Sequence, residues 1–255
     1  MTSTVSQTLL STWRENITRS IAKSRKVRGS NYVQIATVDS DNKPRNRTVV
    51  FRGFISDSKT GHEAFKMITD ARSHKVKNIV DHTSWCEMVW WFSKTSEQYR
   101  ILGKLKLVRE SDRDEQLLQA RKQQWGNLSD AAREQFFWEQ PGDTYSGEET
   151  EKNVPKGGRN IETNRVLPPP DNFLLLLLYP TEVKYLNLRS NFSQLDKLDF
   201  QEPSNPSSTS TISRRNNEHD DKEILNKDTQ EPSDQISVSR EENIEWKWRS
   251  IRVNP

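Results

Sequence analysis

Apolar positions along this chain recur at two spacings, and the switches between them mark its elements. Leu10, Trp13, Ile17 and Ile21 step by three or four residues, which predicts a first helix packed on a domain. From Tyr32 the period falls to two. Val33, Ile35 and Thr37 alternate with Gln34, Ala36 and Val38, as in a half-buried strand. Asp39 to Pro44 supplies turn residues, and Arg47–Phe54 reads as the second strand of a hairpin. A further turn, Ser56 to Gly61, leads to a short strand over 64–69. The stretch DARSHKVKNIVDH then reads as a helix with Val76, Ile79 and Val80 inside. A long apolar strand over 84–94 and a partner over 97–108 are joined by a turn short enough for a hairpin.

Two helices follow in the pattern. Leu117, Leu118, Arg121 and Trp125 mark the first; the second starts after Ser129 as its N-cap and ends by Trp138, ahead of Pro141. Residues 142–171 read as a loop. FLLLLLY and EVKYLNL read as another strand pair, and Ile244, Trp246 and Trp248 alternate with Glu245, Lys247 and Arg249 in a last strand. About eight strands in hairpin order, with few helices and no βαβ alternation, exclude a parallel nucleotide-binding sheet. The fold class is mainly β with peripheral helices (α+β), and a closed antiparallel barrel is the economical solution.

Composition changes this picture in one place. Hydrophobic residues make up 31% of the chain, below the usual range for a globular domain, but the deficit is concentrated. Residues 201–243 are almost entirely polar and cannot bury enough apolar area to offset their ordering entropy. They read as a disordered insert between a domain over 1–200 and a C-terminal strand over 244–255 that completes the barrel. The net charge of +3 is mild and permits anionic small ligands without implying nucleic acid. Cys86 is the single cysteine, so no intramolecular disulfide forms, and a reducing compartment is favoured. No apolar run reaches the length of a membrane span. The N-terminus lacks a secretory pattern; Glu15 and the helical spacing argue against a mitochondrial presequence. A cytoplasmic location is expected, with a mitochondrial one left open.

Candidate chemistry gathers around the strand Arg47-Thr-Val-Val-Phe-Arg52, an apolar run bracketed by guanidinium groups that are costly to bury unpaired. Two elements later, Arg72, His74 and Lys75 stand at the start of a helix, where cations are mildly unfavourable unless an anion binds. Phosphate is the usual anion there. Thr69 ends the strand between, so three successive elements each bring a phosphate-compatible group. The backbone of Thr48–Phe51 offers an edge to a planar ring, and Gln98 an amide to the same ring.

The order Arg47-Thr-Val-Val-Phe-Arg52, Ile68-Thr69, His74-Lys75, Gln98-Tyr-Arg-Ile-Leu-Gly-Lys104, with a close in WRSIRVNP, resembles the pyridoxamine 5′-phosphate oxidase family. The resemblance spans roughly residues 5–200 and 244–255. It implies an antiparallel split β-barrel, working as a homodimer with flavin mononucleotide (FMN) at the subunit interface. Carried over by position, Arg47, Thr48 and Val49 would line the isoalloxazine, and Arg52 and Lys75 would contact the FMN phosphate. Thr69 would give its hydroxyl to the phosphate or ribityl chain, and Gln98 would reach the ring from the partner subunit. His74 stands where the family has Arg, and its charge fades near neutral pH.

The vitamin B6 substrate motifs depart further. The family's Tyr and Arg on the helix after Gly103, and its Arg-Pro-Arg-x-Ser-like loop, are replaced by REQFFWEQPGDTYSG, where Arg133 is the loose substitute. After VKYLNL an Arg-x-His segment is expected; RSNFSQLDKL has no His, and Leu186 stands in place of the flavin-stacking Trp. FMN binding therefore survives the comparison better than pyridoxine phosphate oxidation, and no catalytic acid or base is named.

Plainer readings apply elsewhere. Trp85, Trp90 and Trp91 suit the core or a dimer interface. Cys86 reads as an inert buried thiol. His62 and His82 read as surface residues, too far apart in sequence for a metal site. The function expected is an FMN-binding flavoprotein, an FMN-dependent oxidoreductase acting on a small molecule. The alternatives are flavin or tetrapyrrole binding without turnover and, less favoured, single-stranded nucleic-acid binding, which lacks a basic stripe with interleaved aromatics.

Overall fold

The computed structural model describes residues 12–57, 60–144, 154–201 and 245–255. The expectations for Leu10, for Ile244 and for nearly all of the polar insert lie outside them. The chain divides into two compact units, Met1–Asp199 with Trp246–Pro255, and Phe200–Glu245; the first carries the features described below.

Helix α1 (Trp13–Ser24) starts where Thr12 accepts from the Glu15 amide while the Glu15 side chain accepts from Thr12 N, a reciprocal cap. Its spacing buries Trp13 and Ile17 against the sheet. The strands are β1 (Tyr32–Val38), β2 (Pro44–Val50), β3 (Phe54–Ser56), β4 (Glu63–Asp70), β5 (Trp85–Phe92), β6 (Glu97–Val108), β7 (Phe173–Asn187), β8 (Phe192–Gln201) and β9 (Glu245–Val253). They form one sheet in the order β2-β1-β5-β6-β7-β4-β3, with β8 pairing β7 and β9 pairing β8. Period-two burial fills one face with Val33, Ile35, Met67, Met88, Trp90, Tyr99, Ile101, Leu176 and Val183. The run of leucines in β7 is buried on both faces. Leu176 and Leu178 point into that core, while Leu175 and Leu177 pack beneath helix α3 (Glu115–Gly126) with Leu117 and Ala120.

The barrel is not closed by a ladder among the described residues. Its two terminal strands, β2 and β3, are instead consecutive pieces of one chain. The expected strand Arg47–Phe54 breaks there, because Gly53 takes φ +109 and Phe51-Arg52-Gly53 turns a corner. The corner is held by Arg52 N donating to Lys66 O (2.8 Å) and Lys66 N donating to Gly53 O (2.7 Å).

Two further expectations need correction. FLLLLLY and EVKYLNL are one strand, β7, which pairs with β6 along both halves; its second half also pairs with β8, a strand the sequence pattern leaves out. Pro180 sits inside β7 because the pairing shifts register there, opposite Leu102 and Gly103, where a proline's missing N–H costs little. The backbones approach so closely at that shift that a Cβ on Gly103 would lie 2.1 Å from Tyr179 O. His62 is engaged at the same place: its Nε2 donates to Pro180 O at 3.0 Å. Val80 of α2 (His74–Asp81) is 61% exposed, whereas Val76 is buried. Helix α4 (Asp130–Glu134) does start at Ser129, whose hydroxyl accepts from Ala132 N, and ends in a short 3₁₀ turn over Gln135–Phe137.

Candidate functional site

The sequence brings hydroxyls and cations together where β4 runs into α2. Ser73, the N-cap residue, turns its hydroxyl away from the helix and donates to Asp70 O at 2.7 Å. Lys75, the second residue of the helix, folds back and donates to Thr69 Oγ1 and Ser73 Oγ, each at 3.1 Å. Burial pushes the Lys75 ammonium down to about 8, with the nearby Arg47 charge adding to the effect and Asp70 opposing it. A desolvated cation whose direct partners are two neutral hydroxyls is electrostatically underpaired.

Arg47 lies on β2 and donates to Thr37 Oγ1 at 2.8 Å, an oxygen that also accepts from Asn78 Nδ2 of α2 at 3.0 Å. Arg52, at the corner, has a buried Nε with no hydrogen-bond partner among the described residues. Burial lowers the proton affinity of both guanidiniums below the ordinary arginine value.

These residues are divided between two clefts. One, of about 370 Å³, is floored by Thr48, Val49, Arg52 and Thr69 and walled by Ala132 and Phe136. The other, of about 700 Å³, lies between the β1–β2 hairpin and α2 and is lined by Arg45, Arg47, His74, Lys77, Asn78 and His82. Ser73 and Lys75 line neither cleft; they bond to each other and to Thr69 on the floor of the smaller one. Gln98 joins neither cleft. It sits on the outward face of β6, in register with Trp91 of β5 and Leu186 of β7.

The structure reassigns two arginines. Arg72 is not a free cation at the helix start: it forms a two-pronged pair with Asp70 (2.7 and 3.0 Å) and donates to Trp138 O. Arg133 does not reach a ligand. It is 3% exposed and donates to the carbonyls of Gly157 and Leu128 and to Asp130. Arg45 is half exposed and pairs with Asp39 at 2.7 Å. Cys86 is buried, and burial pushes its thiol up to about 12, so it is inert as a nucleophile.

Asp70, Ser73 and Asn172 join the site without being among the candidate ligand-binding residues of the sequence. Asp70 and Ser73 flank the Thr69 and His74-Lys75 motifs, so an acid and a hydroxyl beside paired cations were available as a signal. Asn172 is about a hundred residues away and carried none.

Residues 10–109 match the family model for the pyridoxamine 5′-phosphate oxidase FMN-binding domain. A pyridoxine/pyridoxamine 5′-phosphate oxidase 2 from Arabidopsis thaliana is 34% identical over 182 residues, 70% of this chain and 84% of that protein. Among solved structures, a pyridoxamine 5′-phosphate oxidase-related, FMN binding protein from Nostoc punctiforme superposes with a TM-score of 0.66 at 30% identity. That match covers 97% of this chain and all of the other. PhzG from Burkholderia lata, solved with tetrahydrophenazine-1-carboxylic acid, shares the fold with a TM-score of 0.59 at 15% identity, over 95% of this chain and 92% of its own.

Proposed function

This chain belongs to the pyridoxamine 5′-phosphate oxidase FMN-binding family, and from that premise we propose that it is an FMN-dependent oxidoreductase acting on a small molecule as a homodimer. The observation that carries the reading is the underpaired positive charge at the β2–β4–α2 corner. Lys75 has its proton hold weakened by burial, and Arg52 has a buried Nε without an acceptor. A phosphate would supply what both lack, so the residues present fit the cofactor of the family.

Arg52 and Lys75 would hold the FMN phosphate, with His74 at its edge and the Thr69 hydroxyl on the phosphate or ribityl chain. Arg47, Thr48 and Val49 would line the isoalloxazine. FMN, when bound, supplies the two-electron acceptor, and the chain's own share is binding, orientation and exclusion of water. Homodimerisation rests on Tyr32, Trp85 and Trp91. These three aromatics on the neighbouring strands β1 and β5 are 52%, 43% and 43% exposed. A second copy covering that face would also take up the outward Gln98, which is how that residue would come to a flavin held mainly by the other subunit. The single cysteine suits a cytoplasmic location, and no helix among the described residues is long and apolar enough to cross a membrane.

A second reading, flavin binding without turnover, has one observation in its favour. Asp70 and Arg52 are the ionisable residues lining the smaller cleft, and Asp70 is occupied by Arg72 and Asn172. Two measurements separate the readings. The purified chain is loaded with FMN, stripped of excess and examined for flavin absorption and for a rise in melting temperature. Absence of both sinks the proposal. With FMN retained, oxygen uptake on adding pyridoxamine phosphate identifies an oxidase of that substrate, and flavin reduction by no small amine or alcohol favours binding alone.

A further inference from the structure

The wall of the smaller cleft is not part of the sheet. Ala132, Gln135, Phe136 and Pro141 come from α4 and the turns after it, a segment whose carbonyls are gripped from below. Phe136 O accepts from Asn172 Nδ2 at 2.8 Å, and Trp138 O accepts from Arg72 Nη1 at 2.9 Å. Both donors converge on one carboxylate. Asp70 Oδ2 accepts from Arg72 Nη2 (2.7 Å) and Asn172 Nδ2 (2.9 Å). Its Oδ1 accepts from Arg72 Nε (3.0 Å) and Arg72 N (2.8 Å). The backbone closes the frame, with Ala71 N donating to Asn172 O at 2.8 Å.

Asp70 thus ends β4, one residue after Thr69 on the cleft floor, and holds two side chains that carry the wall. Neither Arg72 nor Asn172 lines the cleft itself. Their geometry is specific: the planar guanidinium presents two prongs to the carboxylate and keeps a third N–H for Trp138 O, which a lysine could not reproduce. The amide of Asn172 divides its two N–H groups between the carboxylate and Phe136 O.

We propose that Asp70 is a positioning residue that, through Arg72 and Asn172, sets the spacing between the sheet floor and the 132–141 wall and so determines the thickness of ligand the cleft admits. This deepens the proposed function, because it takes the cleft as part of the ligand site. The mechanical half of the claim holds for the ligand-free chain as well.

The test uses the full chain and two readouts. Hydrogen exchange of the peptide covering 132–141 is followed without ligand in wild type, Arg72→Lys and Asn172→Ala, with peptides from β5 and β6 as the internal standard. Loss of one charge-assisted bond should speed exchange in the wall by on the order of tenfold and leave the standard unchanged. FMN affinity is then titrated by flavin fluorescence well below each melting temperature, where the same variants should bind several-fold more weakly. A wall that exchanges at the wild-type rate in both variants overturns the proposal, whatever FMN does. Faster exchange in the wall, in a chain whose wild type binds no FMN, upholds the positioning and overturns the cofactor reading instead. Faster exchange with FMN affinity unchanged overturns the link between wall and ligand. Asn172→Ala removes only side-chain bonds from the end of a loop, so the question stays answerable should Arg72→Lys fold poorly.

Discussion

Arg133 is buried and Arg52 is half-buried with its Nε out of reach of water, and the corners around them are built in opposite ways. Around Arg133 every direction has an acceptor: Gly157 O at 3.1 Å, Leu128 O, and the Asp130 carboxylate. The loop is shaped to provide them. Gly157 and Gly158 both take positive φ, and a Cβ on Gly158 would come within 2.9 Å of the Arg133 Cβ. Around Arg52 the backbone is satisfied through Lys66, yet the side chain keeps a buried Nε unpaired, beside a cleft. An arginine whose donors are all used internally stabilises the fold and has nothing left for a ligand. One held short of partners costs stability and is preorganised for an anion.

Four measurements press on that contrast. The largest effect is expected at Arg133, where alanine leaves several buried carbonyls unmet and should cost about 3 kcal/mol in denaturant unfolding. FMN affinity below the variant's melting temperature should fall by no more than the several-fold expected from a loosened wall; a loss as large as that of Arg52→Ala would erase the distinction between the corners. Arg52→Ala should do the reverse, weakening FMN binding by roughly thirty-fold, as loss of a charge-assisted contact requires. The ligand-free chain should lose little stability, because the Arg52 Nε has no hydrogen bond to lose.

The third effect is in the pH dependence. Lys75 titrates near 8 in the folded chain against an ordinary 10.5, so between those values the unfolded chain holds the extra proton. Ligand-free stability should therefore rise with pH through that window. FMN binding should fall over the same window, by up to about tenfold per pH unit above 8, because the phosphate needs the ammonium. Lys75→Met should flatten both curves, and parallel rather than opposed slopes would remove Lys75 from the anion site. The smallest effect is at Arg45, half exposed and paired with Asp39: alanine there should change FMN affinity by less than about twofold. Equal losses from Arg45→Ala and Arg52→Ala would mean the wrong arginine has been assigned.

Much of the fold is legible from periodicity, since burial follows side-chain direction and direction follows position. Val33, Ile35 and Thr37 are buried as their alternation requires, and Ser129 caps its helix as its place before the apolar run implies. The failures are at strand ends. Pro180 looks like a terminator, but a register shift in a partner some eighty residues away makes room for it. Arg47–Phe54 looks continuous, but Gly53 bends it so that the two halves pair with different strands. The site divides in the same way. Thr69 and Lys75 are six residues apart and meet across the start of α2, a local geometry that the sequence expresses.

The chain's order of residues was therefore enough to establish a mainly β domain, the family motifs, and a corner where hydroxyls and cations accumulate. It could not say which cations would be left unpaired. Arg72, Arg133 and Arg52 look alike in sequence, and all three read as candidates for an anion. Their fates depend on acceptors that arrive from elsewhere in the chain: Trp138 O for Arg72, Gly157 O for Arg133, and none for the Nε of Arg52. Hydrogen-bond energy falls off within an ångström or so of its optimum, so pairing is settled by distances that only the folded arrangement of sheet, loop and helix sets.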